Sequence, residues 1–197
     1  MPDPTRTFDP HRAALLVMDY QNGILDRVAD AGGLLARARD AIAAARHSGM
    51  HVGYVRVAFT DADYAAVPGT NKTFTALVAG RSMHADAPET AVHDDVAPEP
   101  GDIVVRKTRV GAFSTTDLDD QLRGYEIDTL VLAGISTSGV VLSTVRDAAD
   151  RDYRLSVLAD GCADTDPANH EFLTQKIFPR QCDVISVADL SIWLARS

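Results

Sequence analysis

The chain's 197 residues are 46% hydrophobic and 24% charged, which fits one globular domain over residues 1–197 with a core of its own and excludes long disorder. Acidic residues outnumber basic ones 28 to 19, for a formal net charge of −9, and no Lys/Arg cluster offsets this locally, so nucleic acid is excluded as a partner. No basic region followed by an apolar run opens the chain, no segment has the length of a membrane helix, and Cys162 and Cys182 are too few for a disulfide framework, so a soluble, cytoplasmic protein with reduced thiols and no membrane contact is expected.

Ala13 to Met18 is a continuous apolar run, too short for a helix and stopped by Asp19, and it reads as a strand buried on both faces. Leu34, Leu35, Ala38, Ile42 and Ala45 then recur at helical spacing with Gly49 as the stop. His51 to Val57 returns to strand, completing a right-handed βαβ unit. From about Thr60 to Gly101 no periodicity is sustained, and the richness in Pro, Gly, Asp and Thr marks a substrate-facing insertion or a subunit contact. Within it Asp61 and Asp63 read as a solvated turn, His84 and His93 as surface residues, and Phe74 to Val78 as an apolar patch suited to a second subunit. Gly101 to Lys107 is a third strand, and Thr115 opens a short helix with Leu118 and Leu122 at i, i+4. Thr129 to Ala133 is a fourth strand, and Ser138 to Asp152 a helix with Val141, Val145, Ala148 and Ala149 on one side. Leu155 to Leu158 and Asp183 to Val187 are two further strands, with His170 to Phe178 helical between them and Leu190 to Leu194 a terminal turn. Six strands alternating with helices imply an α/β fold, a mostly parallel sheet covered on both faces.

Such sheets place their chemistry beyond the carboxyl ends of the strands, where the strand order reverses. Asp19 ends the first strand, so its carboxyl is expected at a crevice floor, partly desolvated and able to donate a proton, although an Asp there also suits a cap on the next turn. Leu130 to Val141 runs the fourth strand through Gly134 into a tight turn that opens a helix. Ile135-Ser136-Thr137-Ser138-Gly139 there offers backbone N–H groups to an anion or a developing oxyanion, with Ser138 reading as an N-cap. Lys107 ends the third strand; solvation is the common fate of a single Lys, and on the residues alone Arg106 or Arg109 serves equally as the charge that matters.

Asp19, Lys107 and the Gly134 turn, in that order, give the chain its resemblance to the isochorismatase-like, or cysteine hydrolase, superfamily, from Leu15 to about Ala163. The string Val105 to Thr116 looks much like the family segment that carries its catalytic Lys, and this resemblance selects Lys107. An ammonium there lowers the cost of an ionised Asp19 and polarises a substrate oxygen. The resemblance implies a three-layer α/β/α, Rossmann-like domain with a six-stranded sheet in the order 3-2-1-4-5-6. It further implies a homodimer or homotetramer and a cis peptide at Ile135–Ser136. Active cysteine hydrolases of this kind carry a nucleophilic Cys a few residues after the Gly, and aligning Gly134, Thr137, Ser143, Thr144, Asp147 and Ala148 puts Val140 at that place. Isochorismatases proper carry Gly there, because cleaving a vinyl ether needs an acid and water but no covalent adduct. Val140 fills the space that Gly leaves for a bulky cyclohexadiene.

No substitute nucleophile stands out. Cys162, in Leu158 to Asp164, reads as a core or rim residue near the crevice edge, and Ser136 and Ser138 lack an evident His base. Nicotinamidase relatives place Asp-x-His after the second strand, but Arg56 to Asp63 contains no His, so no metal is expected. Without a Gly-rich phosphate loop or a dinucleotide fingerprint, no cofactor is expected either. The expectation is a hydrolase acting on a small-molecule substrate by Asp19/Lys107 acid–base chemistry without a Cys nucleophile. Ile135, Ser136, Thr137, Gly139 and Val140 form its substrate-binding, oxyanion turn. The alternative is a catalytically inactive ligand-binding or scaffold protein of the same fold.

Overall fold

The computed structural model describes residues 8–196. Its centre is a six-stranded sheet in the order β3-β2-β1-β4-β5-β6, with every neighbouring pair parallel. The strands are β1 (Ala13–Met18), β2 (His51–Val57), β3 (Ile103–Lys107), β4 (Thr129–Ile135), β5 (Arg154–Ala163) and β6 (Asp183–Ile185). The helices in chain order are α1 (Asn22–Leu25), α2 (Ala31–His47), α3 (Asp61–Ala66), α4 (Thr75–Ala79), α5 (Leu118–Gly124), α6 (Leu142–Asp150), α7 (Pro167–Phe172) and α8 (Val187–Leu194).

Side chains of a strand alternate between the two faces of a sheet, and β1 shows what its unbroken apolar run is for. Ala13, Leu15 and Val17 pack into a cluster with Leu34, Ala38 and Ile42 of α2 and Leu190 and Trp193 of α8. Ala14, Leu16 and Met18 pack on the opposite side with Leu118 and Leu122 of α5 and Val145 and Ala148 of α6. β4 divides likewise, Val131, Ala133 and Ile135 joining the first cluster and Leu130 and Leu132 the second. Leu15, Leu16, Leu130 and Leu132 are fully buried, each contributing about 1.5–3 kcal/mol by transfer from water.

Several boundaries differ from the sequence expectation. β5 runs on through Asp160-Gly161-Cys162 because, after a register shift between Leu132 and Gly134, β4 pairs again at Gly134 with Cys162 and at Ile135 with Ala163. β6 stops at Ile185, since Ser186 forms a capping box with Asp189 and turns Val187 into the start of α8. That box makes the expected terminal turn a full helix. The helix expected from Ser138 begins as a π-helical turn over Thr137–Val141, and α7 starts earlier than expected, capped by the Asp166 side chain. The helical segment after α7 continues as a π-helical turn over Leu173–Ile177 and a 3₁₀ turn over Phe178–Arg180.

The irregular excursion contains α3 and α4 and has an apolar cluster of its own, in which Phe59 stacks on Tyr64 at 5.5 Å and meets Phe74 at 5.7 Å. Phe74, expected to offer itself to another subunit, is thus buried within the chain. Asp63 is not a solvated turn residue: it completes a capping box with Thr60 at the start of α3 and pairs with Arg106 at 2.6 Å.

Gly134 sits where β1, β4 and the turn after it converge, and a Cβ there would lie 2.9 Å from the Val141 side chain and 3.2 Å from Met18 Cβ. Gly134→Ala is expected to cost about 1–3 kcal/mol, the range for overpacking a filled core. Urea unfolding should show the lower midpoint with an unchanged slope.

Candidate active site

The chain leaves β1 by a sharp turn at Asp19, whose φ of 60° lies in the left-handed region that Asp tolerates better than most side chains. Its backbone N–H donates to the Val55 carbonyl at 2.8 Å, so the carboxyl is held at the sheet edge between β1 and β2. Lys107 ends β3, and the register Val57 opposite Lys107 brings its ammonium across the end of β2. There Lys107 Nζ lies 2.8 Å from Asp19 Oδ2 and also donates to the carbonyls of Val110 at 2.9 Å and Arg109 at 3.3 Å. These three acceptors match the three donors of an ammonium. The two side chains are only 3% and 6% exposed, which separates this pair from the solvated ion pairs elsewhere on the molecule.

Asp19 Oδ1 is buried and has no hydrogen-bond partner among the described residues. Burial raises the carboxyl to about 6, with the attraction of Lys107 pulling in the opposite direction. A carboxyl poised there changes protonation state close to neutral pH, as a general acid requires. Arg106, an alternative to Lys107 on the sequence alone, instead pairs with Asp63, and Arg109 contributes its backbone carbonyl to Lys107.

Gln21 is a residue the sequence gives no reason to single out. It is fully buried; its amide donates to the carbonyls of Val57 at 2.9 Å and Thr90 at 2.8 Å, and its oxygen accepts from Val57 N–H at 2.7 Å. One side chain thereby ties the exit of β1 to the end of β2 and to the excursion. Its only signal is a polar residue shortly past the strand's end, indistinguishable in sequence from loop.

Asp19 and Lys107 line a cavity of about 530 Å³ together with Ile135, Ser136, Gly139 and Val140. The excursion supplies Phe74, Leu77 and Met83 to the lining. The Ile135–Ser136 peptide is cis. Thr137, grouped with the turn from sequence, does not line the cavity: it is fully buried, with Oγ1 2.8 Å from His170 Nδ1. Ser138 is not a side-chain cap either; its backbone N–H donates to Asp164 Oδ2 at 2.7 Å, so that N–H is already taken. Thr137–His170 and Ser138–Asp164 tether the turn from α7 and the segment before it. Burial lowers the His170 pKa, with Asp164 opposing, which favours the neutral ring. Nothing in the spacing of the sequence links Thr137 to a residue 33 positions later.

Cys162 lies in the core, not the cavity. It pairs with Gly134 across β4 and β5, its Sγ is 3.9 Å from the Leu132 carbonyl, and burial pushes the thiol up to about 12. Burial pushes the Cys182 thiol, 3.3 Å from the Phe178 carbonyl, up to about 12 as well.

A family model for the isochorismatase domain matches residues 13–189, almost the whole described chain. The chain belongs to the isochorismatase family. This isochorismatase-family chain is 35% identical over 187 residues to the ureidoacrylate amidohydrolase RutB of Methylobacterium radiotolerans, covering 84% of this chain and 72% of that one. It is 34% identical to the Bacillus subtilis isochorismatase family protein YwoC, covering 89% and 90% of the two chains. Among solved structures, an isochorismatase family protein from Burkholderia thailandensis superposes with a TM-score of 0.79 at 28% identity, over 96% of this chain and 98% of that one. A cysteine hydrolase from Pseudomonas syringae pv. phaseolicola shares the fold with a TM-score of 0.89 at 21% identity, over 100% and 99% of the chains. No helix among the described residues is long and apolar enough to cross a membrane.

Buried thiols held as neutral S–H react slowly, because the thiolate is the nucleophile. Native protein at pH 8 is expected to release well under one equivalent of chromophore from a disulfide thiol reagent within minutes, and two equivalents once unfolded in urea. Rapid labelling of Cys162 in the native state would contradict its core placement.

Proposed function

We propose that this isochorismatase-family protein is a hydrolase of a small metabolite that works through Asp19 and Lys107 and forms no covalent intermediate. The observation that carries the reading is the buried Asp19–Lys107 pair at 2.8 Å in the lining of a cavity that Val140 also lines. By resemblance Val140 occupies the place of the family's Cys nucleophile, and an isopropyl group supplies neither a nucleophile nor a proton. The name ureidoacrylate amidohydrolase borne by relatives such as the Methylobacterium protein supports hydrolysis as the class of reaction.

In this mechanism Asp19 is the acid. Its protonated carboxyl gives a proton to the leaving group as that group's bond to the electron-poor centre breaks and takes the bonding pair, water adds to that centre, and the water's surplus proton returns to the Asp19 carboxylate. Lys107 stays charged, held by two backbone carbonyls as well as by Asp19, and offsets the negative charge left on the acid. Ile135, Ser136, Gly139 and Val140 shape the wall against which the substrate lies, and Thr137 and His170 hold that wall from behind. A second reading, a ligand-binding protein without turnover, draws on the same Val140.

Asp19→Asn is expected to lower kcat about 10²- to 10⁴-fold, the usual worth of a general acid, while ligand affinity stays within a few fold. Because the folded-state pKa of Asp19 is raised, the proton it must donate is present below about pH 6 and lost above it, so kcat/KM should fall as pH rises through about 6. Val140→Cys places a thiol in the same lining as Lys107 and is expected to add weak amidase or esterase activity. A hydrolase panel on wild type and both variants reads all three effects. Wild-type turnover that survives Asp19→Asn unchanged overturns the mechanism, and a bound ligand with no turnover in any of the three favours the binding protein.

A further inference from the structure

Past Asp19 the β1–β2 ladder is continued by a side chain. Met18 pairs with Val55, and the Asp19 N–H donates to the Val55 carbonyl at 2.8 Å. In a parallel pair the next two rungs join the Val57 N–H to the Asp19 carbonyl and the Val57 carbonyl to the Gln21 N–H. The chain leaves that path, because it turns at Asp19 with a φ of 60°. The Gln21 amide stands in for the missing peptide groups: Oε1 accepts from the Val57 N–H at 2.7 Å, and Nε2 donates to the Val57 carbonyl at 2.9 Å.

The second N–H of the amide meets the Thr90 carbonyl at 2.8 Å, where the returning arm of the excursion runs antiparallel to the exit of β1. Backbone bonds fasten that arm as well, with the Asn22 N–H on the Ala91 carbonyl at 3.1 Å and the His93 N–H on the Tyr20 carbonyl at 2.9 Å. What the side chain adds is the link to Val57, and Val57 carries it to Lys107. The two are register partners in β2 and β3, and the neighbouring Ala58 N–H donates to the Lys107 carbonyl at 3.2 Å. Gln21 follows Asp19 by two residues, so the clamp spans the gap between the acid and the cation. It is fully buried, where an amide is costly unless its groups are paired, and packing alone needs no amide there.

We infer that Gln21 is a positioning residue: its side-chain amide continues the β1–β2 ladder past the Asp19 turn and, through Val57, sets the distance between Asp19 and Lys107. The inference rests on the reading of Asp19 and Lys107 as the working pair and names what holds them together. Lys107 is the charged group bonded to Asp19, while Arg27, after α1, and Arg109, after β3, converge on the same cavity lining, and Arg56 donates to the Thr90 carbonyl at 3.3 Å. Substituting Gln21 leaves all four cations in the chain, so the Asp19 titration reports how closely Lys107 is held.

Carboxyl-carbon NMR of protein labelled at its Asp side chains reads that titration, the Asp19 resonance being the one absent from Asp19→Asn. Gln21→Met keeps the length and the dry surroundings of the side chain but removes the clamp. Lys107 then stabilises the carboxylate less, and the ionisation constant of Asp19 is expected to fall at least ~3-fold, moving its midpoint upward from about 6. Gln21→Asn, whose amide is one methylene too short to reach, should move it the same way and carries the test where Gln21→Met does not fold. In a Lys107→Met background, Gln21→Met is expected to leave the constant within ~2-fold of Lys107→Met alone, because the route through the cation is gone. Leu190→Ala, a cavity-forming change in α8, controls for lost stability: it should lower the urea midpoint without moving Asp19. An Asp19 midpoint unchanged or lowered in a folded Gln21 variant, an equal rise in Leu190→Ala, or a rise that persists in the Lys107→Met background overturns the inference. No turnover enters these readings. Turnover untouched by Asp19→Asn removes the mechanism and leaves the positioning role, and an unmoved midpoint removes only the positioning role.

Discussion

Taking a carboxylate and an ammonium out of water costs several kcal/mol for each ion, and their attraction offsets this only where the remaining donors and acceptors are also satisfied. Asp19 and Lys107 meet that condition on one side alone. The ammonium is saturated by Asp19 Oδ2 and two backbone carbonyls, while Asp19 keeps one buried oxygen with no partner among the described residues. The imbalance falls on the carboxyl, and its raised pKa follows from it. A core built only for stability favours apolar residues at such a site; an unsatisfied, buried carboxyl with a raised pKa in a cavity suits acid chemistry.

Holding two charges 88 residues apart at 2.8 Å constrains everything around them. Asp19 and Lys107 end strands that are not neighbours, so β2 must lie between them in a fixed register, and Gln21 clamps the end of β2 with two hydrogen bonds to Val57 and ties it to Thr90 with a third. β4 must lie on the other side of β1 so that Gly134, opposite Met18, delivers the following turn to the same cavity. The reversal of strand order about β1 makes room for the site, and the two apolar clusters that cover the sheet make that geometry rigid. The geometry of the site depends on β1 being buried on both faces.

The excursion contributes what the sheet lacks. Its aromatic cluster of Phe59, Tyr64 and Phe74 gives an otherwise irregular segment a core, and from that core Phe74, Leu77 and Met83 reach the cavity. The segment thereby closes one side of the pocket with apolar surface and supplies the ring on which Arg109 rests. Selectivity among related folds can change through such a segment while the Asp–Lys floor stays as it is.

Much of the fold is legible in the amino-acid order alone. The unbroken run Ala13 to Met18, the helical spacing from Leu34, and the Gly134 turn carry periodicity and turn chemistry that are local properties of the chain, so the sheet class, the strand ends and the candidate Asp19 can be read directly, whereas Lys107 is singled out from Arg106 and Arg109 only by the family resemblance. The ends of β5 and β6 cannot be, because they depend on a register shift against β4 and on a capping box competing for Val187. Nor can the Thr137–His170 contact, the three bonds of Gln21, the burial of Cys162 or the convergence of Arg27 and Arg109, all of which join residues far apart in sequence. Sequence by itself determined which backbone elements form and which chemical groups stand at their ends. Only the tertiary structure decided which of those groups lose their water and which share a cavity, because desolvation and charge coupling depend on distances through space that no local pattern encodes.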